Sequence, residues 1–84
     1  MPLKFIGLKK NVEYYESKLL TCDFEAIEAT EGNDAENEIT FRLGCVDVIG
    51  KKRHVLAALL ELDRQSVLSP TYKTMVDQIK TIYS

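Results

Sequence analysis

The chain has 84 residues, of which 45% are hydrophobic and 29% are charged, and its formal net charge is −2 at neutral pH. This composition excludes a disordered chain, and the length leaves room for one core, so we expect a single small domain over residues 1–84. No apolar run approaches the roughly 18 residues that cross a bilayer, and the N-terminal apolar stretch is too short for a signal peptide, which predicts a cytoplasmic protein without membrane contact.

The predicted elements begin with a strand and a helix. The alternating segment Leu3–Leu8 is typical of a short strand. Asn11 follows at a position suited to a helix N-cap, and apolar residues then recur at helical spacing. These apolar residues are Val12, Tyr15 and Leu19. The pattern therefore predicts a helix that begins at Asn11 and runs at least to Leu20.

The segment after this helix is compatible with two structures. Because the apolar spacing continues to Ala29, one helix can extend from Asn11 to Glu31. The favoured alternative ends the helix near Thr21 and makes Cys22–Thr30 a strand that pairs with Glu38–Val48, in which Glu38–Cys45 alternates strongly between polar and apolar residues. A pairing symmetric about a turn at residues 33 and 34 sets these residues opposite each other: Phe24 and Leu43, Ala26 and Phe41, Glu28 and Ile39, Cys22 and Cys45.

Two further helices complete the predicted order. The second strand extends through Val46–Ile49 and ends at Gly50, after which leucine-rich helical spacing predicts a helix over residues 51–66. Ser69–Pro70 is a typical helix start, and we expect the last helix to end near Tyr83. The order β-α-β-β-α-α predicts an α+β fold, in which the helices pack on one face of a small antiparallel sheet.

The charges are sorted into two blocks along the chain. Residues 19–41, here called the acidic segment, contain seven acidic residues and no Lys or Arg. These acidic residues are Asp23, Glu25, Glu28, Glu31, Asp34, Glu36 and Glu38. We interpret the segment as a solvated hairpin face or as a surface for a partner protein. It lacks the ligand spacing of a calcium-binding EF-hand loop, so no metal site is expected there.

The basic cluster, Lys51–His54, stands where the second predicted helix begins. Helix N-termini favour anions, so Lys51, Lys52 and Arg53 are unfavourable there unless an anion binds beside them. A phosphate ligand or a nucleic acid suits such a site. The alternative is a helix that begins near His54 and is preceded by a solvated loop. The pI of about 5.3 argues against nucleic acid as the main partner.

The sequence contains no constellation typical of an enzyme or a zinc site. His54 is the single histidine, and no Asp or Glu stands at a spacing that would orient it. Cys45 alternates with core residues, so we expect a buried and unreactive thiol. Cys22, Cys45 and His54 supply three of the four zinc ligands needed, at no recognised spacing. We therefore expect neither catalysis nor a cofactor.

The sequence favours a small non-enzymatic binding or regulatory protein that acts through protein–protein contacts. The expected contacts are the acidic segment and the apolar face of the last helix, which also offers a surface for a homodimer. The candidate partner-binding residues are Glu25, Glu28, Asp34, Glu36, Glu38, Met75, Ile79 and Tyr83. The alternative is nucleic-acid or phosphate-ligand binding through the basic cluster, whose residues are Lys51, Lys52, Arg53 and His54.

Overall fold

The computed structural model describes residues 1–25, 27 and 36–83, and the side chains of residues 79, 80, 82 and 83 lie outside this description. Within the described residues, the elements are β1 (Lys4–Ile6), α1 (Lys9–Lys18), β2 (Glu38–Leu43), β3 (Val46–Lys51), α2 (Lys52–Arg64) and α3 (Pro70–Tyr83). The strands form one antiparallel sheet in the order β1-β3-β2. The predicted α+β class and the order β-α-β-β-α-α are confirmed.

Two of the three described strands form a tight hairpin. β2 and β3 are joined by the two-residue turn Gly44–Cys45, and Leu43 lies opposite Val46. Gly44 has a φ of +64°, a left-handed conformation that glycine adopts without a side-chain clash. On its other side β3 pairs with β1. β2 and β1 are therefore the two edges of the described sheet.

The prediction that residues 22–30 form a strand opposite residues 38–48 is wrong. Residues 22–25 and 27 lie outside the sheet, while residues 26 and 28–30 lie outside the described part of the chain. The observed partners of Ile39, Phe41 and Leu43 are Gly50, Val48 and Val46. The hairpin at Gly44 closes a much shorter loop than the predicted one, so its formation costs less chain entropy.

The first helix differs from its prediction at both ends. α1 begins at Lys9, so Asn11 lies inside the helix and the prediction that it is the N-cap is wrong. The Asn11 N–H donates instead to the Leu8 carbonyl, at an N···O distance of 2.9 Å. α1 ends at Lys18, so the alternative of one helix to residue 31 is also wrong. Turns at residues 19–21 follow the helix.

The later helices follow their predictions closely. α2 begins at Lys52, so the alternative of a helix beginning near His54 is wrong. α3 begins at Pro70 as predicted, and the Lys73 N–H donates to the Ser69 carbonyl at 2.9 Å. None of the described helices is long and apolar enough to cross a membrane.

The core lies between one face of the sheet and the helices. α2 contacts β2 and β3, and α3 packs against α2. The largest fully buried side chains are Leu19, Leu43, Leu62, Val46, Val55 and Val76. Gly50, predicted to end its strand, lies within β3 on this face, where an added Cβ would come within 2.6 Å of Leu3 Cδ2. The alternate residues of β2, which are Glu38, Thr40 and Arg42, are exposed on the opposite face.

Candidate functional site

The two charged blocks of the sequence meet at the N-terminus of α2. The Arg53 guanidinium donates to the Glu25 carboxylate through Nη1 and to the Glu36 carboxylate through Nε. Lys51 Nζ lies 2.9 Å from Glu36 Oε2, and His54 Nε2 lies 3.1 Å from Glu25 Oε1. These five residues are called the charge cluster below. Glu25 and Glu36 of the acidic segment are therefore bound within the chain to the basic residues.

Backbone contacts hold the two carboxylates in place. The Lys52 N–H donates to the Asn37 carbonyl at 2.8 Å, which fixes the chain next to Glu36 at the start of α2. The Glu25 N–H donates to Asp23 Oδ1 at 3.0 Å, in the manner of an Asx turn. The contact of Lys52 with Asn37 and the ion pairs of the cluster join distant parts of the chain, so no local sequence pattern predicts the cluster.

The electrostatics of the cluster resolve a conflict seen in the sequence. The Arg53 side chain is 15% exposed, whereas those of Glu25 and Glu36 are 68% and 55% exposed. Hydrogen bonds from Arg53 and then His54 lower the pKa of Glu25, and those from Lys51 and then Arg53 lower the pKa of Glu36. Three cations at a helix N-terminus favour an anion, and carboxylates of the same chain occupy that role.

The predicted partner-binding residues are spread over several parts of the structure. Glu25 and Glu36 lie in the charge cluster, and Glu38 is exposed on β2. Glu28 and Asp34 lie outside the described residues. On α3, Met75 is 38% exposed and the next residue, Val76, is fully buried. Ile79 and Tyr83 are in α3, but their side chains lie outside the description.

α3 is attached to the outer edge of the hairpin by Tyr72. The Tyr72 hydroxyl accepts from the Gly44 N–H at 3.0 Å and donates to the Arg42 carbonyl at 3.3 Å. The Tyr72 ring packs edge-on against Phe41, with ring centroids 5.9 Å apart. No sequence signal indicated this contact of Tyr72 with the strand edge.

The same contacts show which backbone groups of β2 point outward. The Asn37 carbonyl accepts from Lys52, so odd-numbered positions direct their backbone groups toward β3 and α2. The Arg42 carbonyl instead accepts from Tyr72, so even-numbered positions direct theirs away from β3. The outward set comprises Glu38, Thr40 and Arg42. Among the described residues, no further strand pairs with this edge.

The cysteines and the histidine differ from their predictions. Cys45 is exposed in the hairpin turn, because the strand that was to bury it reverses there, so its predicted burial is wrong. Cys22 is half-buried, and burial, with smaller effects of Glu61 and Asp23, raises its thiol pKa to about 11. His54 is buried and is oriented by Glu25, a carboxylate distant in sequence.

The arrangement of metal-ligating side chains and the state of the Cys22 thiol bear on metal binding and on nucleophilic chemistry. Among the described residues, no group of three or more His, Cys, Asp or Glu side chains is placed to hold a metal ion. An open groove of about 170 Å³ is lined by Cys22, Asp23, Ala57, Leu60, Glu61 and Arg64. The Cys22 thiol in this groove is protonated at neutral pH because its pKa is about 11, and a thiol is a much weaker nucleophile than a thiolate.

No protein-family profile, curated protein or solved structure matches this chain. Its function is therefore inferred from its own residues.

Proposed function

We propose that this chain is a small non-enzymatic binding protein of regulatory type, which acts in the cytoplasm through protein–protein contacts. The observation that carries the proposal is the outward edge of β2, where the backbone groups of Glu38, Thr40 and Arg42 point away from the sheet. A strand edge of this kind pairs readily with an extended segment of another chain. Two free cysteines fit a reducing compartment.

The exposed side chains of Met75 and Glu38 supply further contacts in this proposal. Tyr72 anchors α3 to the end of β2, and Met75 lies on the next turn of α3 with 38% of its surface exposed. Methionine adapts its shape to apolar partners. Glu38 brings the acidic segment to the edge, because its side chain is exposed and lies on the open face of the sheet. The predicted contact surfaces, the acidic segment and the last helix, thus enter the proposal through Glu38 and Met75.

Capture of partners from the native source tests this function. Tagged wild-type protein should enrich a defined partner, and Met75→Asp should lose it because a charge replaces the exposed apolar contact. Leu20→Asp is the matched control, since Leu20 is 78% exposed outside α3. Circular dichroism verifies that both variants are folded. Equal capture by wild type and Met75→Asp, or no enrichment at all, contradicts the proposal.

The alternative function, binding of nucleic acid or a phosphate ligand, is less well supported. Lys51 and Arg53 already contact carboxylates of the acidic segment, which lowers the positive potential that attracts phosphates. We expect fluorescence anisotropy with labelled single-stranded DNA and RNA to show no binding at low salt. Tight binding that weakens steeply with salt and is abolished in Lys51→Glu would establish the alternative instead.

A further inference from the structure

The outward edge of β2 carries opposite charges at equal distances from its central residue. Its sequence is Glu38-Ile39-Thr40-Phe41-Arg42, with a negative residue at one end and a positive residue at the other. Both ends are equally distant from Thr40, and both intervening residues are apolar. The Tyr72 hydroxyl occupies the edge at Gly44, so the open stretch ends near Arg42 and is centred on Thr40.

We propose that the partner of this edge is a second copy of the chain, which pairs its own β2 antiparallel about a twofold axis at Thr40. This inference rests on the proposed binding role of the β2 edge and names its partner. The result is a continuous sheet in which β2 of each copy is central. Two-fold pairing uses the same surface on both copies, as closed dimers do.

The backbone geometry fits this register. Glu38, Thr40 and Arg42 direct their N–H and C=O groups outward, and in an antiparallel pair the bonded positions alternate in the same way. Thr40 then exchanges hydrogen bonds with Thr40 of the copy, and Glu38 does so with Arg42 of the copy. The Arg42 carbonyl also accepts from Tyr72, which is compatible because a carbonyl oxygen has two lone pairs.

The side chains favour a copy over an unrelated strand. On the exposed face, Glu38 of each copy lies opposite Arg42 of the other copy, which gives two ion pairs related by symmetry. On the core face, Ile39 lies opposite Phe41 of the copy, and both are partly buried in the single chain. Charges on an edge strand usually prevent pairing, but here their signs are complementary to the same strand reversed.

Arg42 has the capacity to serve two carboxylates. Its Nε donates to Asp47 Oδ1 at 2.9 Å and its Nη2 donates to Asp47 Oδ2 at 3.4 Å, while its side chain remains 72% exposed. A guanidinium has five N–H donors in a planar fork, so the two bonds to Asp47 leave donors for Glu38 of the copy.

Charge reversal combined with sedimentation equilibrium tests the pairing. Wild type should dimerise with a Kd between about 1 µM and about 1 mM, which is the range of weak complexes. Glu38→Arg places like charges opposite Arg42 of the copy, and Arg42→Glu does the same opposite Glu38, so each should weaken association by about tenfold or more. The double variant Glu38→Arg/Arg42→Glu restores opposite charges and should associate like wild type.

A mixture of the single variants separates pairing from folding effects. Glu38→Arg carries two positive ends and Arg42→Glu two negative ends, so a one-to-one mixture should form heterodimers more tightly than either variant forms homodimers. Any loss of stability within one chain, such as the repulsion of Asp47 by the carboxylate that Arg42→Glu introduces, persists in the mixture.

Amide hydrogen exchange in wild type supplies a readout of the backbone. The Thr40 N–H should exchange more slowly at high than at low protein concentration, whereas the Ile39 N–H, which points toward β3, should not change.

A strictly monomeric wild type up to about 1 mM, or a dimer unaffected by either charge reversal, overturns the inference. If wild type is monomeric but captures a partner that Met75→Asp does not capture, the inference fails and the proposed binding function stands. If wild type is monomeric and captures no partner, both are contradicted.

Discussion

At the scale of single residues, neighbours in sequence have opposite surroundings. Leu19 is 1% exposed in the core, and Leu20 is 78% exposed. Helical spacing distinguished the two, because Leu19 continues the stripe of Val12 and Tyr15 and Leu20 does not. Leu19 is therefore buried together with the apolar stripe of the helix, even though α1 ends at Lys18.

The pair offers a controlled test of core packing. Leu19→Ala should lower the free energy of unfolding by about 2–5 kcal/mol, since it leaves a cavity in a filled core. Leu20→Ala should change it by less than about 0.5 kcal/mol. Urea unfolding followed by circular dichroism measures both. Similar losses in the two variants would contradict the burial of Leu19.

At the scale of elements, the hairpin depends on its turn. The segment Glu38–Cys45 alternates between apolar and polar residues, and Val46–Ile49 adds three β-branched residues directly after it, which together predicted one long strand. Gly44 was the signal for a reversal, since a two-residue hairpin requires positive φ, which glycine supplies. Gly44 is also what moves Cys45 from the predicted core to the surface.

Substitution of Gly44 tests the cost of this conformation. Gly44→Ala should destabilise the protein by about 1–2 kcal/mol, because a Cβ disfavours the left-handed region. An added Cβ has no heavy atom within 4 Å, so the loss reflects the backbone rather than a clash. Gly44→Asn should lose less, since asparagine adopts this region more readily. Urea midpoints compare the three proteins, and equal losses for Ala and Asn would refute the backbone explanation.

At the scale of the whole molecule, the charge cluster connects parts of the chain that are remote in sequence. Arg53 contacts both Glu25, which precedes residues 28–35 in the sequence, and Glu36, which follows them. Folding therefore places the two charge blocks against each other, so part of the segregated charge is paired within the chain. The partner surface proposed from the acidic segment is reduced to residues outside the cluster, such as Glu38.

The cluster predicts a loss of stability in acid. The folded-state pKa values of Glu25 and Glu36 lie below the ordinary value of about 4.3, mainly because Arg53 and Lys51 donate hydrogen bonds to them. Their contribution is complete above the ordinary pKa and is lost as the pH falls through the lowered values. The melting temperature should therefore decrease as the pH is lowered below about 5.

A double variant isolates this contribution. Glu25→Gln/Glu36→Gln should melt lower than wild type at neutral pH and should show a shallower fall in acid, because fewer carboxylates titrate. Glu61, whose pKa Arg64 lowers, remains in both proteins. Glu13→Gln is the control, since Glu13 makes an exposed contact with Lys9 at 3.9 Å. An unchanged acid profile in the double variant would show that the cluster does not stabilise the fold.

The sequence by itself determined the α+β class, the start of α3 at Pro70 and the apolar face of α2, and it predicted the order of elements while placing the two strands of the hairpin on other residues. These features follow from local periodicity and from residues that begin or end helices. Tertiary structure alone decided which strands pair, that Glu25 and Glu36 bind Arg53, and that Tyr72 reaches the edge of β2. Contacts between distant segments depend on loop closure and on packing, and neither leaves a repeating pattern in the sequence.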